Sequence, residues 1–421
     1  FPESHRIGFG KTETIMVTPN TGYYLESFSC TNGYKNNAVI DISSSEHQIV
    51  TINNNNENKG STCTATFGVA HYKIEYNLNG GTITGTNPTT YTIEDEDITL
   101  INPTKVGYNF LGWSGSNGSN QPSVTISKGS TGNKSYTANW EIKRYTVTVS
   151  ANTGGTISTT SLTLNYGGTG TFTVTPSNGY YLNSMSCTNG YTTNAKVGTT
   201  QTASQTVTIS NNSKDTNSSC TVTFTPITYT IGYTLNGGSV TGNPTSYTVE
   251  SNAITLKNPT KTGYNFTGWS GSNGTTASTS VTIPKGSTGN KTYTANWGLK
   301  SYNVTINKNT GGTTSVSTLA VNYGSSNTLI ISPSAGYYIN SVSCTNGYTT
   351  NAKTGTSQTA IQTVTVSNNS KDTTSTCSVS FSPITYTISY NLNSGTVTGN
   401  PTTYTVESNA ITLKNPTRTG Y

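Results

Sequence analysis

Short stretches in which hydrophobic and polar residues alternate run along most of the chain, separated by turns rich in glycine, asparagine and proline. Between residues 143 and 226 the alternation predicts six strands that each turn one face towards a core. They are Tyr145–Ser150, Ser161–Asn165, Thr171–Thr175, Tyr180–Cys187, Gln205–Ser210 and Cys220–Thr225. No segment shows a convincing helical period, so the pattern predicts a mainly β chain with little or no helix.

A second pattern, between residues 228 and 297, mixes predicted strands with aromatic residues. Asn236-Gly237-Gly238 is expected to form a hairpin-type turn. The stretch Asn258-Pro-Thr-Lys-Thr-Gly-Tyr-Asn-Phe-Thr-Gly-Trp269 combines a turn specified by proline and glycine with rings large enough to anchor a small core. The strands predicted around it are Tyr229–Leu235, Ser246–Glu250, Ala253–Lys257, Val281–Ile283 and Tyr293–Trp297.

Both patterns repeat. The cysteines at 30 and 63, 187 and 220, and 344 and 377 are 33 residues apart within each pair, and equivalent cysteines are 157 apart. A unit that returns at a fixed period is the unit of folding. We therefore predict three cysteine modules, at 1–68, 143–226 and 300–383, and three aromatic modules, at 72–140, 228–297 and 385–421. The period projects beyond both ends, so we expect the first cysteine module and the third aromatic module to be incomplete parts of a longer, elongated array.

The six cysteines have the parity of core residues. Side chains at positions i and i+2 of a strand share a face, which places Cys187 with Met185, and Cys220 with Val222 and Phe224. Two buried thiols per module would satisfy this parity as well as a disulfide does. We favour disulfides because the cysteines recur as pairs in a loop-rich chain of low charge. The predicted bonds are Cys30–Cys63, Cys187–Cys220 and Cys344–Cys377.

The composition excludes several classes of partner. Only 9% of residues are charged, and the net charge of +6 comes from basic residues scattered singly, with Lys143-Arg144 the only adjacent pair. A nucleic-acid binder would cluster them, so no nucleic-acid partner is expected. No run approaches the roughly 18–20 apolar residues of a membrane span, so no membrane insertion is expected in this segment.

The inventory of titratable residues argues against an enzyme. The histidines are His5, His47 and His71, and none recurs at the repeat period. Residues 143–226 contain one carboxylate, Asp215, and residues 228–297 contain one, Glu250. Paired-carboxylate hydrolysis within these modules is therefore excluded, and nucleophilic catalysis lacks a histidine base. We expect no catalytic residue and no cofactor.

Two further candidate sites have plainer alternatives. Glu94-Asp95-Glu96-Asp97 could attract calcium, but the second copy reads Glu250-Ser-Asn-Ala253, which favours a solvated acidic turn. A Lys–Asn isopeptide bond would need a buried carboxylate, and Asp215 or Glu250 could serve with Lys214 or Lys261. Exposed single charges are the favoured interpretation there. Zinc is disfavoured because two cysteines per module lack further ligands nearby.

Tyrosine is enriched, at 27 residues. It recurs as the pairs Tyr23-Tyr24, Tyr180-Tyr181 and Tyr337-Tyr338. Neighbours on a strand point to opposite sides, so one ring of each pair should be exposed if the other is buried. Exposed rings are candidate contacts for a sugar or a protein partner. Cross-strand packing on a neutral sheet is the plainer alternative and ranks first.

The motifs of the aromatic modules resemble the internalin B-repeat, also called the Listeria–Bacteroides repeat. The motifs are Leu-Asn-Gly-Gly, Asn-Pro-Thr-Lys-x-Gly-Tyr-x-Phe-x-Gly-Trp and Tyr-Thr-Ala-Asn-Trp. The third copy departs with Asn393-Ser394-Gly395. The cysteine module resembles the divergent B-repeat through Asn165-Tyr-Gly167, Pro176, Gly179-Tyr180 and Thr223-Phe224. The resemblance implies β-grasp-like modules, usually with a short helix, in bacterial surface proteins.

Two functional hypotheses follow. The resemblance implies a non-enzymatic extracellular stalk or spacer of a bacterial surface adhesin-like protein, and the cysteine pairs suggest that its modules are cross-linked internally. The alternative is a multivalent array on the bacterial surface that binds carbohydrate or a host protein through exposed tyrosines. Loss of glycan binding on altering those tyrosines would favour the alternative.

Overall fold

The computed structural model describes residues 4–420 as β-strands joined by turns, with no helix among these residues. The chain packs as two units, residues 1–225 and residues 226–421. The predicted mainly β, tandemly repeated fold is confirmed. The short helix that the resemblance implies does not occur in the described residues.

Between residue 4 and Pro226 the structure describes twenty strands. Within residues 4–69 they are β1 (Thr12–Val17), β2 (Tyr23–Cys30), β3 (Lys35–Asn36), β4 (Gln48–Asn53) and β5 (Cys63–Val69). Within residues 72–142 they are β6 (Tyr72–Asn77), β7 (Thr90–Tyr91), β8 (Ile98–Thr99), β9 (Tyr108–Gly115), β10 (Gly118–Gln121), β11 (Thr125–Ile126) and β12 (Lys134–Ile142). Within residues 144–226 they are β13 (Arg144–Ala151), β14 (Gly155–Ile157), β15 (Ser161–Asn165), β16 (Thr169–Pro176), β17 (Tyr180–Cys187), β18 (Thr192–Thr193), β19 (Gln205–Ser210) and β20 (Ser218–Pro226).

The second unit begins with an aromatic module, followed by a cysteine module and the third aromatic module. Within residues 229–299 the strands are β21 (Tyr229–Thr234), β22 (Ser246–Tyr247), β23 (Ile254–Thr255), β24 (Tyr264–Gly271), β25 (Gly274–Ser278), β26 (Thr282–Ile283) and β27 (Lys291–Leu299). Within residues 301–383 they are β28 (Ser301–Lys308), β29 (Gly312–Thr314), β30 (Thr318–Asn322), β31 (Ser326–Pro333), β32 (Tyr337–Cys344), β33 (Thr349–Thr350), β34 (Gln362–Ser367) and β35 (Ser375–Pro383). Residues 386–420 contain β36 (Tyr386–Thr387) and β37 (Thr403–Tyr404).

Each complete cysteine module is built from two four-stranded sheets. In the second module their orders are β15-β13-β20-β17 and β14-β16-β19-β18, and the third module repeats both. Alternation turns every second side chain inward, and the inward residues form one hydrophobic core. Its largest fully buried side chains include Phe224, Leu182, Ile209, Val147 and Val174. The first strand, β13, pairs in parallel with the last strand, β20.

The aromatic modules have a different sheet. The first has the order β10-β9-β12-β6-β7 with a separate two-stranded ladder, β11-β8, and the second repeats this arrangement. Here too the first and last strands pair in parallel, β6 with β12 and β21 with β27. A mixed sheet with paired terminal strands is compatible with a β-grasp-like module. Each core is centred on one fully buried tryptophan, Trp113 or Trp269.

The turn at Asn236-Gly237-Gly238 forms but does not make the hairpin that the sequence suggests. Asn236 and Gly237 both have positive φ, 48° and 81°, and Gly238 N donates to Leu235 O at 3.0 Å. After this turn the chain makes only a single bridge, Ser239 to Thr260, because β21 pairs with β22 and β27 instead. The turn therefore redirects the chain away from the sheet.

The first cysteine module and the third aromatic module have fewer strands, and hydrophobic residues are exposed in both. The sequence has no counterpart of β13 in the first cysteine module, and Phe67 is 42% exposed where its equivalent Phe224 is 2% exposed. In the third aromatic module Leu413 is 52% exposed where its equivalent Leu256 is 4% exposed. The covering strands, rather than the residues themselves, therefore account for burial in the complete copies.

Candidate functional site: module cores and joints

Three disulfides lie within single modules: Cys30–Cys63, Cys187–Cys220 and Cys344–Cys377. Each joins two neighbouring antiparallel strands, with a Cα–Cα distance of 4.0 Å and a sequence separation of 33 residues. Cys220 and Cys377 are essentially inaccessible to solvent, and their partners pack at the edge of the same cores. The cross-links close loops within modules and leave no described cysteine free.

The four tryptophans have two different environments. Trp113 and Trp269 are 0% exposed. Trp140 and Trp297 are half-buried, and their Nε1 atoms donate to Leu78 O and Leu235 O, both at 3.1 Å. One tryptophan of each module thus lies at the centre of the core, and the other packs against that core and closes it at the Leu-Asn-Gly-Gly turn.

Tyrosines surround the buried tryptophans. Tyr233 and Tyr293 pack against Trp269, with ring centroids 5.8 and 6.5 Å away. Burial raises the pKa of Tyr233 to about 12, and burial likewise raises the pKa of Tyr76 and of Tyr91 to about 12 in the first aromatic module. These hydroxyls stay protonated and donate to backbone oxygens, as Tyr233 does to Pro244 O at 2.9 Å. The tyrosines of the aromatic modules are therefore largely core residues.

The lysine of the Asn-Pro-Thr-Lys motif holds the nearby turn. Lys261 Nζ donates to Asn236 O at 2.9 Å and lies 4.1 Å from the centre of the Tyr264 ring. Lys105 makes the same two contacts in the first aromatic module, at 2.8 and 4.3 Å. These contacts explain why the motif contains a lysine. It also occupies Lys261, one of the two lysines that are candidates for an isopeptide bond.

A single lysine joins each complete aromatic module to the cysteine module that follows it. Lys300 lies between β27 and β28. Its N donates to Gly263 O at 3.0 Å, and its O accepts from Tyr323 N at 3.0 Å. Its Nζ is 2.9 Å from Asp372, which also accepts from the Tyr302 hydroxyl. The backbone of one residue is thus bonded to both modules, and its side chain is bonded to the cysteine module.

The equivalent lysine, Lys143, makes the same contacts in the first unit. Its N donates to Gly107 O and its O accepts from Tyr166 N, both at 2.9 Å. Its Nζ is 2.8 Å from Asp215, which also accepts from Tyr145. Asp215 is more than half exposed and ion-paired. It is therefore not the buried carboxylate that an isopeptide bond requires.

Glycine is required where a ring crosses this joint. Gly263 has φ 79°, and a Cβ there would lie 2.3 Å from the Tyr323 ring. A side chain would therefore strain the backbone and displace the ring. Gly107 has the same φ and meets Tyr166 in the same way. The Gly-Tyr step of the aromatic motif accordingly forms part of the joint as well as of the turn.

A second kind of joint leads from a cysteine module into the next aromatic module. The Tyr23 hydroxyl donates to Glu94 Oε1 at 2.8 Å, and Ala70 N donates to Gly22 O at 2.9 Å. The bond to Glu94 raises the pKa of Tyr23. In the second unit Tyr337 donates to Glu407 at 2.8 Å, and Ile384 N donates to Gly336 O at 2.8 Å. The first tyrosine of these two pairs is thus a joint residue.

Both rings of each tyrosine pair are half-buried, so the structure has neither a buried ring nor a fully exposed one in these pairs. The half-buried rings are Tyr23, Tyr24, Tyr180, Tyr181, Tyr337 and Tyr338. Each pair begins its strand, and one ring of each pair lies over a glycine. The rings of Tyr180 and Tyr337 lie over Gly154 and Gly311, and Tyr24 covers Gly68. Ligand contact by these residues remains a hypothesis.

The acidic turn at residues 94–97 is held by local contacts. Glu94 accepts from Tyr23, and Glu96 forms an ion pair with Lys128 at 2.7 Å. Asp95 and Asp97 accept backbone N–H groups of Thr92 and Lys128. Among residues 4–420, no group of three or more acidic, histidine or cysteine side chains is arranged to hold a metal ion. The same residues include no helix long and apolar enough to cross a membrane.

Two kinds of small β module alternate along the chain, joined by short contacts, and the cysteine modules are cross-linked internally, which is the organisation of a tandem-repeat protein. The Listeria-Bacteroides repeat domain matches residues 72–138, 229–296 and 386–421, and the divergent InlB B-repeat domain matches residues 145–228. The chain belongs to this B-repeat family, whose repeats occur in surface proteins and are generally non-catalytic. No curated protein matches the chain. The disulfides fit an oxidising, extracellular location.

Proposed function

We propose that the chain is a non-enzymatic spacer segment of an extracellular, adhesin-like protein on a bacterial surface. It consists of six modules, at 1–68, 72–140, 143–226, 228–297, 300–383 and 385–421. The cysteine modules are cross-linked by disulfides, and the segment carries another part of the protein away from the surface. This role needs no catalytic group, no cofactor and no nucleic-acid partner.

The proposal rests on the hydrogen bonds that hold the modules together at each joint inside a unit, which recur in both units. Lys143 and Lys300 each bond to the modules on both sides, and the Tyr23–Glu94 and Tyr337–Glu407 hydrogen bonds span the other kind of joint. Flexible linkers between domains leave their relative motion free, whereas these joints have almost no linker. The same set of residues recurs at the repeat period, as expected if each joint has the same task.

Removing one period should shorten the reach of a displayed partner. The full chain would be anchored on a cell surface with an unrelated binding domain at its far end, and capture of a large ligand would be measured. Deletion of residues 144–300 removes one period and leaves Lys143 followed by Ser301, which reproduces the natural Lys300-Ser301 step. We expect reduced capture through surrounding polysaccharide and unchanged capture on a bare surface.

The control is the same chain without the binding domain, tested on host cells and glycans. Capture that does not depend on the deleted period would contradict the spacer. Binding by the chain alone, lost on changing Tyr24 and Tyr338 to alanine, would instead favour the ligand-binding array.

A further inference from the structure

The first and last strands of every complete module lie side by side and point the same way. In the cysteine modules β13 pairs with β20 from Val147 to Ala151, and β28 pairs with β35 from Val304 to Lys308. In the aromatic modules β6 pairs with β12, and β21 pairs with β27 from Ile231 to Thr234. Two module types with different sheets thus share one arrangement of their terminal strands.

The chain passes from module to module almost without slack. Only Lys143 separates β12 from β13, and only Lys300 separates β27 from β28. A pull along the chain therefore reaches the terminal strands directly, since no linker has to be extended first. In each module it acts on the beginning of the first strand and on the end of the last.

Parallel pairing decides how such a pull is resisted. The beginning of one strand and the end of its parallel neighbour lie at opposite ends of the ladder, so the pull slides the strands past each other. The ladder bonds of a parallel pair are evenly spaced along the strands, and sliding loads all of them at once. If both strands were pulled from the same end of the ladder, the bonds would break one after another.

We propose that each complete module is a shear clamp that bears tension along the chain. The inference rests on the proposed spacer function, because a segment that links two anchored points is the one put under tension. It adds a task that a spacer need not have: keeping the modules folded while the partner at one end is pulled.

The disulfides fit this task. Cys187–Cys220 ties β17 to β20, the last strand of the clamp, and Cys344–Cys377 ties β32 to β35 in the third module. If an oxidised cysteine module unfolds under load, the 33 residues spanned by the bond cannot be extended. At about 3.6 Å per residue, each oxidised module should lengthen by roughly 120 Å less than its reduced form.

The clamp is tested by pulling one module of the full chain in two directions. Bio-orthogonal handles placed at Thr228 and Ser301 load the β21–β27 ladder in shear, whereas handles at Thr228 and Thr292 peel it from one end; all three residues are exposed. We expect the shear rupture force to exceed the peeling force by at least about twofold, because the four paired positions break together. Equal forces, or a lower force in shear, would overturn the clamp.

The same experiment can be carried out on the first aromatic module. Handles at His71 and Arg144 shear the β6–β12 ladder, and handles at His71 and Ser135 peel it. Each chain is used only if its denaturation midpoint matches that of the unlabelled protein. If the shear force is low but deletion of one period still shortens the reach, the clamp is refuted and the spacer stands. If the shear force is high but the reach does not depend on the number of repeats, the spacer is refuted and the clamp stands.

Discussion

Replacing Trp269 with alanine is expected to destabilise the second aromatic module by about 3–5 kcal/mol, the usual cost of removing a large buried aromatic side chain. The side chain is 0% exposed and is packed edge-on against Phe266 and Tyr293, with ring centroids 5.5 and 6.5 Å away. A cavity of this size cannot close, because the surrounding rings are fixed by β24 and β27. Urea denaturation of the full chain, followed by hydrogen exchange of peptides from residues 228–299, measures the loss.

The matched control is Thr267→Ala, two positions away on the exposed face of the same strand. Its effect should stay within about 0.5 kcal/mol, as for most surface substitutions. A Trp269→Ala chain that keeps wild-type protection in this module would show that the tryptophan is not its structural centre.

Removing one disulfide, by Cys187→Ala together with Cys220→Ala, is expected to destabilise the second cysteine module by about 3–4 kcal/mol. The loss reflects the freedom regained by the 33-residue loop in the unfolded state. Alanine is chosen because a serine hydroxyl at the inaccessible Cys220 position would add the cost of an unpaired buried polar group. Module-resolved hydrogen exchange is the suitable measurement, since a multidomain chain does not unfold in two states.

The aromatic modules at 72–140 and 228–297 provide an internal control, since they contain no cysteine. Their exchange should be unchanged in the double variant, and also when the wild type is reduced. If removal of the disulfide left residues 180–225 as stable as before, the cross-link would have no role in holding the module.

Strand positions in the cysteine module could be predicted closely because its period-two pattern is uninterrupted. Ser161–Asn165, Tyr180–Cys187 and Gln205–Ser210 coincide with β15, β17 and β19, and the other three predicted strands differ by no more than a few residues. The short strands β14 and β18 could not be predicted, because two or three residues carry no measurable alternation. Their pairing is set by the longer strands beside them.

The aromatic motif shows where pattern reasoning fails. Phe266 and Trp269 are three residues apart, so strict alternation places them on opposite faces of a strand. Both pack in the core because the register of β24 shifts between Phe266 and Gly268. Gly268 has φ 137°, and a Cβ there would lie 2.5 Å from Ser278 N. This register shift is a β-bulge that depends on the close approach of two backbones. The sequence contains no sign of it other than a glycine at position 268.

Only part of each joint could have been predicted from the sequence. Lys143 and Asp215 recur as Lys300 and Asp372 at the repeat period, which is a signal in a chain with so few charges. The signal does not say that the two residues meet, because 72 positions separate them. Their contact depends on the parallel pairing of the first and last strands, a long-range feature without a local pattern.

The measurement that tests the account most directly is the distribution of distances across one joint. Spin labels carried by non-canonical amino acids at Thr292 and Ser378, both exposed strand positions, report the second aromatic and third cysteine modules without disturbing the disulfides. We predict one narrow distribution in the wild type, broadened when Tyr323→Ala removes the ring that crosses the joint over Gly263. A broad distribution in the wild type, unchanged by this substitution, would mean that the modules move freely and would contradict the spacer with fixed joints.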